Sequence, residues 1–174
     1  NILNTNVGGH STRYIIYSGS SGDYINKIEN NIINHTHYGD SWMTAAIYTS
    51  HNTIVRNNII NADYLERAIY LQGDCIVDTN TISGNYNTRV FEVQGDSSII
   101  RDNLVTNSGG GTGVYVEGEN YTWVYNNDFF HTGGGGFLDA NASEVYVTGN
   151  LFESNSGRGA YIHDQSTGGI YNNT

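Results

Sequence analysis

The chain has no proline and a single cysteine, Cys75, so neither proline-fixed turns nor an intrachain disulfide can shape it. It is also poor in positive charge, with seven Lys plus Arg against seventeen Asp plus Glu and a formal net charge of −10. Nucleic acid is excluded as a partner, because phosphate binding needs a basic track, and anionic membranes are disfavoured for the same reason. No apolar run approaches the ~20 residues of a membrane-spanning helix, so no span is expected. Charged residues make up only 14% and aromatics reach 12%, which is too few charges and too many rings for disorder. What remains in abundance is Asn (24), Gly (22) and Tyr (14), a composition of polar turns and short strands.

The asparagines keep time. Asn31, Asn58, Asn80, Asn103, Asn127, Asn150 and Asn173 are separated by 27, 22, 23, 24, 23 and 23 residues. Three residues before each lies an apolar residue (Ile28, Val55, Val77, Ile100, Val124, Val147, Ile170), and two residues after lies another (Ile33, Ile60, Ile82, Val105, Phe129, Phe152). A period near 23 with Asn at one corner means a solenoid, one coil stacked on the next. Asn tolerates the left-handed backbone of a sharp corner, and its amide can bond to its equivalent one coil away, so the column reads as a structural ladder. Cys75 falls in a column with Thr53, Ser98, Thr122, Val145 and Gly168 and reads as a small buried filler.

Within the coil from Gly95 to Gly118, Ser98 to Arg101 is a first strand, Asp102-Asn103 a corner and Leu104 to Thr106 a second strand. A Gly-rich loop then leads to a third strand at Gly113 to Glu117. Three strands and three turns in ~23 residues make the coil of a right-handed parallel β-helix, about seven coils in all, as one array over residues 1–174. Leucine-rich repeats share the Asn spacing but fill the rest of the repeat with a helix or extended arc, and here that remainder is Gly, Asn, Thr, Tyr and Val, poor helix formers. On these repeats the chain resembles the broad superfamily of right-handed parallel β-helix proteins, which includes pectin-acting enzymes, phage tailspikes and Asn-rich surface proteins.

In enzymes of that superfamily the groove runs over the third-strand sheet, so the resemblance directs attention to its outward residues. Alternation turns Tyr48, Tyr70, Glu92, Tyr115 and Tyr161 outward, with Phe137 at a register that sequence leaves open by one residue. The next outward row is Ser50, Gln72, Gln94, Glu117, Asp139 and His163. Tyrosines flanked by carboxylates and amides suit sugar recognition, although stacked Tyr can also simply tile a sheet. Glu117 and Asp139, with Glu92 beside them, are the candidate catalytic carboxylates: one coil apart, near the ~5 Å of retaining glycosidases. A shared proton or a calcium ion could equally relieve their repulsion.

Arg67, Arg89 and Arg158 form a column at the entrance to the third strand, suited to acidic sugars, to lyase chemistry or to pairing with Asp and Glu. His35, His37, Asp40 and Trp42 share the longest loop, but two His without a third clear ligand do not make a metal site, and no metal is expected. The paired-Asp pattern of polygalacturonases, the strand motifs of pectate lyases and the Asp-Pro-His-Asp of alginate epimerases are all missing. Sequons at Asn34, Asn120, Asn141 and Asn172 are no more than 24 asparagines produce by chance. Neither end shows a cap, which favours an excised stretch of a larger solenoid or copies stacking end to end. The expectation is an extracellular or cell-surface structural solenoid, self-associating and contacting glycan. The alternatives are a polysaccharide lyase or glycoside hydrolase and a carbohydrate-binding module.

Overall fold

Three parallel sheets of seven strands each wrap one apolar column. The computed structural model describes residues 1–5, 14–19, 24–36, 44–95, 97–106, 109, 111–118, 121–130, 136–141, 144–153, 159–163 and 166–174. The second-strand sheet stacks Ile2–Thr5, Ile32–Thr36, Ile59–Asp63, Thr81–Ser83, Leu104–Thr106, Asp128–Phe130 and Leu151–Glu153. The third-strand sheet stacks Tyr14–Ser18, Ala45–Thr49, Leu65–Leu71, Tyr86–Gln94, Thr112–Glu117, Leu138–Asn141 and Ala160–Ile162. The first-strand sheet runs from Asn26–Glu29 through Thr53–Arg56, Cys75–Asp78, Ser98–Arg101, Tyr121–Tyr125 and Glu144–Thr148 to Thr167–Tyr171. Every pairing joins consecutive coils, the arrangement of the right-handed parallel β-helix expected from the repeat.

The apolar columns read from sequence form the interior. Ile60, Ile82, Val105 and Phe129 stack from one sheet, and Val55, Val77, Ile100 and Val124 from another, all with no exposed surface. Each such side chain contributes roughly 1.5–3 kcal/mol by leaving water. In five of the third strands two successive residues turn inward rather than one: Ala46-Ile47, Ala68-Ile69, Val90-Phe91, Gly113-Val114 and Phe137-Leu138 are all buried. The first member of each doublet turns inward at the corner and the second begins the alternation. In this column Gly113 is obligatory, since a Cβ there would come within 2.7 Å of the Phe137 carbonyl oxygen. The space goes to aromatic rings, with Phe137 packed on Phe129 and Phe152 at 4.7 and 3.6 Å between centroids.

The Asn ladder is built by hydrogen bonds. The backbone N–H of Asn31, Asn58, Asn80 and Asn103 each donates at 3.0 Å to the side-chain oxygen of the ladder Asn one coil on. Each Nδ2 from Asn58 to Asn150 also reaches that oxygen, and donates backwards to a carbonyl of the preceding coil, as Asn103 does to Val77 at 3.1 Å. Asn1 joins the column through Asn31 at 3.3 Å, a member that its irregular spacing conceals in the sequence.

One part of the expected cause is corrected. The left-handed residue of each corner is the one before the ladder position: Asn30, Asn57, Thr79, Asp102, Asn126, Gly149 and Asn172 all have φ between 51° and 67°. The ladder Asn is placed for its amide, and its neighbour makes the bend.

Candidate functional site

The third-strand face places most of the expected residues as a continuous surface. Tyr17, Tyr48, Tyr70, Glu92, Tyr115, Asp139 and Tyr161 occupy one row, and Gln94, Glu117 and Asn141 lie in the next. The register left open in sequence is thereby fixed. Phe137 and Leu138 both point inward, so Asp139 stands beside Tyr115, and Asn141 stands beside Glu117. Glu117 and Asp139 are therefore diagonal neighbours, not stacked, at a backbone separation of roughly 8 Å by strand geometry. The directly stacked register that suggested a retaining pair is therefore absent.

Glu92 occupies an outward position yet is fully buried. The Nε of Arg67 and the Nη1 of Arg89, the latter at 2.6 Å, both donate to its Oε2, and Gln94 Nε2 donates to its Oε1 at 2.8 Å. Arg67 also bonds Glu66 at 2.6 Å. Burial works against the Arg67 charge, but its bonds to Glu92 and Glu66 outweigh that and raise its pKa. Arg67 and Arg89 share a column as expected, while Arg158 lies outside the described residues. Held by two guanidiniums and an amide, and with no exposed surface, this carboxylate is a keystone out of reach of any substrate.

A hydrogen-bond chain runs from Glu92 along the face. Tyr48 donates to Gln72, Gln72 donates to Tyr70 at 3.1 Å, Tyr70 donates to Gln94, and Gln94 donates to Glu117 at 2.9 Å. The ring faces are engaged too. Tyr48 lies against Tyr14 and Tyr17 at 4.6 and 5.1 Å, and the Arg89 guanidinium covers Tyr115 at 3.6 Å. Sequence reading missed Tyr14 and Tyr17, although Tyr14–Ser18 carries the same apolar pair followed by Tyr as Ala46-Ile47-Tyr48. Further along, Asp139 meets His163 Nε2 at 2.7 Å, and His163 packs edge-on against Tyr161, which is 40% exposed. Glu117, Asn141, Tyr161 and His163 thus form an accessible C-terminal end of the face, and Tyr17, 63% exposed, marks its other end.

Burial is the leading cause that pushes Tyr48, Tyr70 and Tyr115 above the ordinary phenol value of 10.0, and it acts alike on the buried Tyr86. The folded chain holds these protons after the unfolded chain has released them, so stability is complete below pH 10 and falls as pH rises further. Thermal melts should be flat from about pH 7 to 9 and then drop steeply above about pH 10, with Tyr86→Phe blunting the drop.

A family model described as periplasmic copper-binding protein (NosD) matches residues 3–174, and the chain belongs to this family. No curated protein and no solved structure matches it. Copper prefers thiolate, thioether and imidazole donors. Among the described residues no three of His, Cys, Asp and Glu converge. Cys75 is buried against Thr49 at 3.2 Å with its thiol pKa raised mainly by burial, the opposite of what a thiolate ligand needs. His163 is engaged by Asp139. The described donors therefore do not fit a copper centre. His10, His37, Asp40, Trp42, Met43 and His131 lie outside the described residues. Among the described residues no helix is long and apolar enough to cross a membrane.

Proposed function

We propose that this NosD-family solenoid is a scaffold working outside the cytoplasm, one that holds glycan against the accessible C-terminal end of its third-strand face without cleaving it. The observation that carries this reading is the engagement of Glu92 by two arginines and an amide, which turns the most central carboxylate of the face into a structural anchor. The bonded Tyr and Gln side chains make a rigid surface, and rigid polar surfaces bind at low entropic cost. Glu117, Asn141, Tyr161 and His163 supply a carboxylate, an amide, an exposed ring and an imidazole, which is the donor and acceptor set that sugar hydroxyls use. The family description, which is periplasmic, agrees with a site of action outside the cytoplasm.

One observation favours a second reading. Glu117 and Asp139 are two carboxylates on adjacent coils of one face, with roughly 8 Å between their backbones, and an inverting glycosidase needs a carboxyl pair flanking a water. A single experiment separates the two: affinity electrophoresis against a panel of polysaccharides, with released reducing ends assayed in parallel. Under the binding reading, Tyr161→Ala and His163→Ala each weaken retention by about tenfold, equivalent to about 1.4 kcal/mol, and no reducing ends appear. Reducing ends that vanish on Glu117→Gln or Asp139→Asn would replace it with a hydrolase.

A further inference from the structure

The outer face of the first-strand sheet carries an apolar row that neither the glycan face nor the ladder uses. Ile54, Ile76, Ile99 and Trp123 stand in register, one per coil, over a length of three coil spacings or roughly 14 Å. They floor and wall a groove of about 440 Å³. Trp123 closes one end. Its ring is stacked on Tyr146 at 4.5 Å with only 18° between the planes, and Trp123 lines the groove while Tyr146 does not, so the opposite face of the indole looks along the isoleucines. Tyr121, 56% exposed, stands beside it.

The two margins differ. On one, Arg56 pairs with Glu29 at 2.8 Å and Arg101 with Asp78 at 3.1 Å, so these charges are spent on each other. On the other, Asp74 is the charged residue that lines the groove, and it is exposed. Lys27 precedes Ile54 in the row and repels a cation from that end. In a chain of net charge −10, a lining carboxylate beside an aromatic wall selects for positive charge.

We infer that this groove binds a small amphipathic amine, with an aryl or alkyl body laid over Ile76 and Ile99 against the free face of Trp123 and an ammonium group meeting Asp74. The volume lies within the roughly 300–1,000 Å³ of small-molecule sites, which are mostly apolar with a few placed polar groups. The groove's accessible polar side chains Asn52, Asp74 and Ser97 lie along one margin, so a sugar would have to lay its other hydroxyls on a floor of isoleucines. A strip one side chain wide also falls short of the ~800 Å² per partner of a stable protein complex.

Three probes sharing one body test the inference by titration calorimetry: 4-phenylbenzylamine, 4-biphenylmethanol and 4-biphenylcarboxylate. The amine is expected to bind at one site at least tenfold more tightly than the carboxylate. Ile76→Asn and Trp123→Ala, both surface changes whose melting midpoints confirm folding, should each cost the amine at least tenfold. Asp74→Asn should bring it down to the level of the alcohol while leaving the alcohol unchanged. Equal binding of the amine and the carboxylate, or amine binding indifferent to Ile76→Asn, overturns the inference, as does sedimentation showing that this face pairs two copies and that Ile76→Asn separates them.

Discussion

Replacing Asn103 with alanine is expected to lower the melting midpoint by roughly 10 °C, the largest effect of any single ladder substitution. Asn103 sits mid-array and serves both neighbours. Its side-chain oxygen accepts the backbone N–H and the Nδ2 of Asn80, both at 3.0 Å. Its own Nδ2 donates to Val77 in the preceding coil, to Arg101 in its own at 2.8 Å, and to Asn127 in the next at 2.9 Å. The substitution leaves the Asn80 N–H buried without its acceptor, at a cost of about 1–3 kcal/mol, and removes four further bonds at about 1 kcal/mol each. Since coils couple only to their neighbours, the two halves of the array should begin to melt separately. Calorimetry checks both parts: a single sharp transition at the wild-type midpoint would show that the column is ornamental. Asn103→Asp should be nearly as damaging, because a carboxylate accepts but cannot donate.

The second large effect is expected at Glu92. Glu92→Gln keeps the shape but leaves the Arg89 guanidinium without a counter-charge and Arg67 with Glu66 alone, in side chains only 26% and 16% exposed. Breaking a buried pair typically costs about 3–5 kcal/mol, and the residual exposure of the arginines brings the expectation down to about 2–4 kcal/mol. Urea unfolding measures it as a fall in the midpoint with unchanged slope. Replacing Glu92, Arg67 and Arg89 together with methionine should recover most of the loss, since no charge is then left stranded. If Glu92→Gln were as stable as the parent, the keystone role of this carboxylate would be wrong, and with it the argument that the face binds without catalysis.

The repeat was legible in the sequence because its most demanding positions admit few residues. A ladder position needs a side chain that both donates and accepts within a turn, and inward columns need apolar side chains, so Asn103, Val105 and Ile100 announce themselves. What stayed hidden depended on neighbours in the next coil. Asp139 could not be assigned a row while Phe137 and Leu138 were equally apolar, although the doublets Ala46-Ile47, Ala68-Ile69 and Val90-Phe91 carry the rule that both point inward. Glu92 alternates like an exposed residue, and only the stacking of Arg67 on Arg89 covers it. Thr79 and Asp102 show why the left-handed corner could not be read from residue type: the bend is imposed by the stacked coils, and even a β-branched residue accepts φ of 53° there. The apolar row of the first-strand sheet was visible as Ile54, Ile76, Ile99 and Trp123, but without a fold it was indistinguishable from core.

The ladder amides all point one way. From Asn31 to Asn150 each Nδ2 donates to the amide oxygen of the following coil, so every amide oxygen of the column is approached from the N-terminal side, while from Asn58 on the same Nδ2 also reaches back to a carbonyl of the preceding coil. A peptide-like amide carries a dipole of about 3.5 D, and dipoles linked head to tail polarise one another. Buried among hydrocarbon and screened from water, the column runs as one continuous hydrogen-bonded filament inside the protein. An all-β array thereby carries a line of amides ordered along its axis, as helices carry their peptide units, each oxygen accepting from the coil on its N-terminal side.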